Sequence, residues 1–238
     1  MAQAPPTLIA VLGPPEGRKR LTEATQVVIP NVRVVQVSQY LFAAASTLTG
    51  LPPATDSTTR LKGRMTPAEW KRRFTRAIVD LTGAHPEDLL IEGARRALCD
   101  TDEDGAITIC DKPFGEFCIR LSRFLQDEYD HPGYFFTALM RQWEQDGRPP
   151  TIITDVGPLE HEIKLIREAR GQILTTIQPV LSADIYDSVW LRGAWCDLAD
   201  AGIMIDDGDL TELVAIALNT LRADPALRAD PAPRIILA

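Results

Sequence analysis

A chain of 238 residues, 45% hydrophobic and 24% charged, is long enough for one large α/β domain or two small ones, and too apolar for global disorder. Its net charge of −8 argues against broad electrostatic binding to nucleic acid or to an anionic membrane. No apolar stretch is long enough to span a bilayer, no basic segment suggests a signal peptide, and the four cysteines show no metal-ligand spacing. We therefore expect a cytoplasmic protein that does not associate with membranes.

The segment Thr7–Leu21 predicts a strand, a glycine turn and a helix. Leu8–Leu12 is a short apolar run typical of a buried parallel strand, and a Gly/Pro turn follows it. Lys19 has the spacing from Gly13 at which a P-loop lysine meets phosphates, but arginines flank it where glycine and a Mg²⁺-binding hydroxyl are usual. The residues of such a phosphate site are Gly13, Gly17, Arg18, Lys19 and Arg20. A modified phosphate loop and an ordinary strand-to-helix turn both stay open.

The next part of the chain predicts a strand, two helices and a loop. Asn31–Val37 alternates like a strand, Gln39–Leu48 is a helix that ends at Gly50, and Leu51–Arg60 is a loop. Thr66 and Glu69 form the capping box of a further helix. That helix has an apolar stripe, Trp70, Phe74, Ala77, Ile78 and Leu81, and four basic residues off it, Lys71, Arg72, Arg73 and Arg76. The basic face is either solvated or available to phosphates.

The segment Asp100–Asp111 closely matches the calcium-binding loop of an EF-hand. Carboxylates at alternate positions of a tight loop converge on one point, as a hard cation requires. The predicted Ca²⁺ ligands are Asp100, Asp102, Asp104 and Asp111. Predicted helices, Pro86–Cys99 and Phe114–Gln126, flank the loop. The alternative is an acidic surface turn.

The remainder of the chain predicts a βαβ unit between two helical stretches. The helix Tyr134–Glu144 precedes it. Strand Thr151–Thr154, helix Leu159–Ala169 and strand Gln172–Ile177 form the unit, with Asp155 at the carboxyl end of its first strand, where parallel sheets carry functional groups. Helix Val189–Ala199 and strand Gly202–Ile205 follow. The segment Asp206–Leu210 then opens the last long helix, with Asp206 or Asp209 as an N-cap candidate. The final segment is a proline-broken linker with an apolar tip, which we expect to dock on the body or on a partner chain.

In their order, these stretches resemble the deoxynucleoside monophosphate kinases encoded by bacteriophages. The matching sequences are the opening strand and turn, YLFAAASTLTGL with Lys62, MTPAEW, HPGYFFTALMRQW, IITDV with IREARGQIL, and IDDGDLTEL. The resemblance implies a three-layer P-loop α/β fold with a mainly parallel sheet. It places the kinase-like domain over residues 1–222, a helical lid or insertion at about 84–127, and an extended tail at 223–238.

The resemblance also implies phosphoryl transfer from ATP and Mg²⁺ to a deoxynucleoside monophosphate. Lys19 would meet the triphosphate, and Asp155 would lie near the metal and the acceptor. The other implied nucleotide contacts are Arg60, Arg64, Asp206, Asp207 and Gly208. The family's Asp-Val-Arg-Phe motif reads Asp155-Val156-Gly157-Pro158, so an arginine that neutralises phosphate charge is missing. The alternative is a catalytically inactive kinase-fold phage protein with a structural or interaction role in an assembly, in the host cytoplasm or in the virion, with Ca²⁺ as a further ligand.

Overall fold

The computed structural model describes residues 8–52, 54–109, 112–127, 133–156, 160–177, 198–204, 209–223 and 235–236. The chain divides into two compact units, named unit 1 (Met1–Gln36 with Gln142–Ala238) and unit 2 (Val37–Arg141). The predicted insertion, residues 84–127, lies within unit 2. Within the described ranges, no helix combines the length and the apolar character that crossing a membrane requires.

The described residues form nine strands and eight helices. They are β1 (Leu8–Leu12), α1 (Pro15–Val28), β2 (Arg33–Val35), α2 (Ser38–Thr49), β3 (Gly63–Met65), α3 (Pro67–Thr82), α4 (Asp88–Leu98), β4 (Cys99–Thr101), β5 (Ile107–Ile109), α5 (Phe114–Asp127), α6 (Tyr134–Gln145), β6 (Thr151–Ile153), α7 (Glu160–Glu168), β7 (Gln172–Ile177), β8 (Ala201–Met204), α8 (Leu210–Ala223) and β9 (Ile235–Ile236). Most predicted helices and the strands of unit 1 agree with these bounds to within a few residues.

Unit 1 contains a parallel sheet with the strand order β2-β6-β1-β7-β8-β9. Every neighbouring pair is parallel; for example, Ile9 lies opposite Ile152 and Ala10 opposite Ile173. Five strands form the main sheet, and the two-residue β9 extends its edge. Parallel strands need crossover connections, which α1 and α7 supply. The α/β class and the mainly parallel sheet are confirmed.

Both faces of this sheet are covered. Ile9 and Val11 belong to a buried cluster with residues of α1 and α8 such as Leu21 and Val214. The alternate residues of β1, including Leu8, are also fully buried, so the opposite face is covered as well. Burial on both faces explains why β1 is an uninterrupted apolar run, and it is consistent with the predicted three layers.

The apolar tip of the chain docks on unit 1. Ile235 and Ile236 pair with Gly202 and Ile203 of β8 in parallel register. The predicted alternatives were docking on the body and docking on a partner chain, and docking on the body is confirmed. Of the predicted helix Val189–Ala199, residues 189–197 lie outside the described residues, as does most of the linker before the tip.

Unit 2 packs its helices around their apolar stripes and contains a small antiparallel sheet, β3-β5-β4. A capping box has two hydrogen bonds, and the structure confirms the first of them at the start of α3: Glu69 N donates to Thr66 Oγ1 at 3.2 Å. All five stripe residues of α3 are buried, and Trp70 Nε1 donates to Ile91 O at 3.2 Å. The helix ends at Gly83, whose φ of 77° favours glycine.

The acidic segment forms a β hairpin between α4 and α5. Thr101 pairs with Ile107 and Cys99 with Ile109, in antiparallel register. The flanking helices are as predicted, except that Cys99 belongs to β4 rather than to the preceding helix. Ile107 and Ile109 are buried while Thr108 between them is partly exposed, so burial with a period of two makes this segment a strand. None of the three strands that the structure describes in unit 2 was predicted from the sequence.

Candidate functional site

The turn between β1 and α1 is only two residues long, Gly13 and Pro14. The helix begins at Pro15, so two consecutive prolines without N–H groups stand where a P-loop offers backbone donors to phosphates. Lys19 consequently lies in the second turn of α1 and not at its start. The backbone agrees with an ordinary strand-to-helix turn, and in the first turn of α1 the backbone donors without an intrahelical acceptor are the N–H groups of Glu16 and Gly17.

The two glycines of this segment make a close packing contact with β7. A Cβ on Gly13 would lie 2.8 Å from Thr176 Oγ1, and one on Gly17 would overlap the same atom. Gly13 also has a φ of 118°, which L-residues rarely adopt. Packing thus accounts for both glycines, whereas their assignment to phosphate binding stays a prediction.

The side chains of Arg18, Lys19 and Asp155 line one cleft of about 460 Å³ in unit 1. The other lining residues are Pro15, Thr22, Glu23, Gln26, Val34, Gln36 and Thr154. The cleft lies beside α1 at the carboxyl ends of β2 and β6, where ligands of parallel sheets bind. The structure therefore brings the predicted catalytic pair, Lys19 and Asp155, into one cleft, while the exposed Arg20 is not among the residues that line it.

Several cleft residues were missed by the sequence reasoning. Glu23 follows Lys19 by one helical turn, so the period of α1 could have placed it on the same face. Thr154 and Gln36 directly follow β6 and β2, and the ends of strands were a usable signal. The Thr154 hydroxyl is buried without a hydrogen-bond partner among the described residues. Glu23 adds a second carboxylate to the cleft.

In unit 2, Arg64 forms ion pairs with two of the carboxylates predicted to bind Ca²⁺. Its Nε donates to Asp102 Oδ2 at 2.9 Å and its Nη2 to Asp104 Oδ2 at 2.7 Å. The hydrogen bond to Asp102 raises the pKa of Arg64, and the Ala106 N–H together with Arg64 lowers the pKa of Asp104. No group of three or more candidate metal ligands occurs among the described residues, and Asp111 lies outside them. Calcium binding stays a prediction, and the ion would have to displace Arg64.

The remaining predicted site residues are distributed over the chain. Arg60, in unit 2, forms an isolated antiparallel bridge with Pro113. Asp206, Asp207 and Gly208 lie outside the described residues. Asp209 is the N-cap of α8, because its Oδ1 accepts from Thr211 N at 2.9 Å and Glu212 N at 3.3 Å. The capping interpretation is therefore confirmed for Asp209.

The chain matches no protein-family model, and no curated protein matches it. The assignment of function therefore depends on the geometry and chemistry of the clefts.

Proposed function

We propose that unit 1 binds the phosphates of a nucleotide in the cleft beside α1. The observation that carries this proposal is the meeting of Arg18, Lys19 and Asp155 at the carboxyl ends of parallel strands. Two cations attract phosphate oxygens, and carboxylates beside them are suited to a phosphate-bound metal ion. The volume of about 460 Å³ is in the range of sites for small molecules.

The proposed reaction is that of a deoxynucleoside monophosphate kinase. The γ-phosphoryl group of ATP would pass to a phosphate oxygen of the monophosphate, leaving ADP and a deoxynucleoside diphosphate. Lys19 and Arg18 would neutralise charge on the transferred group, which is the main task in phosphoryl transfer. Mg²⁺ takes one or two carboxylates together with substrate phosphates, and Asp155 and Glu23 provide this donor set. When bound, Mg²⁺ would stabilise the charge of the phosphates.

Thermal melting with ATP and Mg²⁺, followed by turnover with each common deoxynucleoside monophosphate, tests the proposal. A ligand that binds only the native state raises the melting temperature. We expect Lys19→Gln to abolish the ATP-dependent shift and to lower kcat/KM by about 100-fold or more, because a charge that meets the transferred group is lost. Its melting temperature without ligand should equal that of the wild type, because Lys19 is exposed.

The matched control is Lys164→Gln, which removes an exposed lysine of α7 in the same unit. Its ATP-dependent shift and turnover should stay at the wild-type level. Equal losses in both variants, or a Lys19→Gln enzyme with full turnover, would rule out the proposed role of the cleft.

A second candidate is a kinase-fold protein without catalysis that has a structural or interaction role in a phage assembly. The two prolines at the start of α1 and the arginine after Lys19 favour it, because backbone donors and a metal-binding hydroxyl are both replaced. An ATP-dependent melting shift without any turnover would support this candidate. Turnover that depends on Lys19 would exclude it.

A further inference from the structure

A second cleft, of about 450 Å³, lies within unit 2 between α2 and α3. Three arginines of α3, Arg72, Arg73 and Arg76, form one wall. The last turn of α2 forms the opposite wall, with Ser46 and Thr47. None of the residues that line this cleft in the described part of the chain carries a carboxylate. The lining thus has three positive charges and no negative one.

The three arginines are engaged to different degrees. Arg73 donates through Nη2 to Glu69 Oε1 at 2.6 Å and through Nη1 to Leu48 O at 3.2 Å, so it already stabilises the carboxyl end of α2. Arg72 and Arg76 have side chains that are 76% and 77% exposed. Among the described residues, their carboxylate contacts are long, 3.7 Å to Glu69 and 3.8 Å to Asp80, and exposed pairs of this kind are weak. Their guanidinium groups therefore have donors to offer a ligand.

Ser46 gives an independent indication of a ligand. It is only 7% exposed, and its Oγ has no hydrogen-bond partner among the described residues. Thr47 and Thr49 of the same helix instead donate to the carbonyl oxygens of Ala43 and Ala45, at 3.1 and 2.9 Å. A buried hydroxyl without a partner is uncommon in native proteins. Ser46 lines the cleft, where its Oγ is a hydroxyl donor that no described residue engages.

We propose that this cleft binds the phosphate monoester of a small molecule. Arg72 and Arg76 would donate to the phosphate oxygens, Ser46 Oγ would donate from the α2 wall, and Arg73 would be a positioning residue. Guanidinium forks match phosphate geometry, and the volume suits a small molecule. The net charge of −8 disfavours an extended polyanion such as nucleic acid. The site lies wholly in unit 2 and does not depend on the proposed function of unit 1.

Calorimetric titration with inorganic phosphate and with ribose 5-phosphate, at an ionic strength held constant with chloride, tests this proposal. We expect both ligands to bind, and ribose 5-phosphate to bind more tightly because it also fills the cleft. The double variant Arg72→Gln/Arg76→Gln should weaken both affinities by about tenfold or more, since charge-assisted hydrogen bonds are lost. Each single variant should produce part of this loss. Ser46→Ala should weaken phosphate binding without lowering the melting temperature.

Two controls make the result specific. Arg96→Gln/Arg120→Gln removes the same charge from two other ion-paired arginines of unit 2, one exposed and one half-buried, and should leave the affinities unchanged. The second control is Lys19→Gln, which removes the contribution of the cleft of unit 1; in this background Arg72→Gln/Arg76→Gln should still weaken the remaining binding by about tenfold or more. Loss of binding in the Lys19→Gln protein would place the phosphate in unit 1 and overturn the proposal. Equal losses in the two double variants, or affinity for neither ligand, would overturn it as well.

Discussion

Thr176, at the carboxyl end of β7, determines which residues α1 tolerates at its start. Its Cβ and Cγ2 would lie 3.1 and 3.3 Å from a Cβ placed on Gly17. Threonine is branched at Cβ and has little freedom to move away. The close approach of α1 to β7 therefore requires glycine at this position, with or without a phosphate ligand.

We predict that Gly17→Ala destabilises the protein by about 1–3 kcal/mol, because a methyl group is forced into a packed contact. Thr176→Ala should remove most of this penalty, since alanine is otherwise the better helix former. A double-mutant cycle measured by urea unfolding gives the coupling between the two positions. Additive effects of the two substitutions would contradict this explanation.

Helix α4 carries a group of ion pairs, and the contribution of this group to the stability of the protein depends on pH. Arg95 Nε donates to Glu92 Oε2 at 2.9 Å, and Arg96 Nε lies 3.3 Å from Glu92 Oε1. Arg95 Nη1 also donates to Thr101 Oγ1 and so joins the end of α4 to β4. The hydrogen bonds from Arg95, with its charge and that of Arg96, lower the pKa of Glu92 from 4.5 to about 2.

Because the pKa of Glu92 is lower in the folded state, its contribution to stability is complete above pH 4.5 and is lost as the pH falls toward about 2. We predict that Glu92→Gln lowers the free energy of unfolding slightly at neutral pH, and that this difference from the wild type shrinks below pH 4.5. Denaturant unfolding over a series of pH values measures it. Glu103→Gln, at an exposed position outside this group, should show no such pH-dependent difference.

At the scale of the whole molecule, each unit has a hydrophobic core of its own. One buried cluster contains Trp70, Phe74 and Phe117 and draws its members only from unit 2. The other contains Ile9, Leu174 and Val214 and draws its members only from unit 1. Unit 2 is continuous in sequence, whereas unit 1 is formed by two separate segments.

We predict that a fragment of residues 37–145, which keeps all of α6, folds without the rest of the chain, because it contains a complete core and a continuous chain. A single cooperative urea transition and a dispersed amide spectrum would show this. The fragment 1–36, tested in parallel, should be unfolded, since its strands lack their partners β6 and β7. A fragment 37–145 without a cooperative transition would show that its core depends on unit 1.

Local sequence signals predicted much of the fold. Thr66 and Glu69 indicated where α3 begins, and this helix ends before Gly83. The apolar run Leu8–Leu12 predicted a central strand. The strands of unit 2 were missed because Asp100–Asp111 was interpreted as a calcium-binding loop, and because Gly63–Met65 shows neither an apolar run nor an apolar alternation. For the site, Lys19 and Asp155 could be predicted singly, but Glu23 and Thr154 became candidates only when the cleft placed them together.

By itself, the sequence determined the α/β class, most helix positions and the parallel βαβ unit, because capping residues and hydrophobic periods act within a few neighbouring residues. The tertiary structure decided what depends on distant contacts. It showed that Gly17 packs on Thr176, that Arg64 pairs with both Asp102 and Asp104, and that the tip pairs with β8. Such contacts join residues far apart in the chain, and neither spacing nor composition records which partner lies opposite.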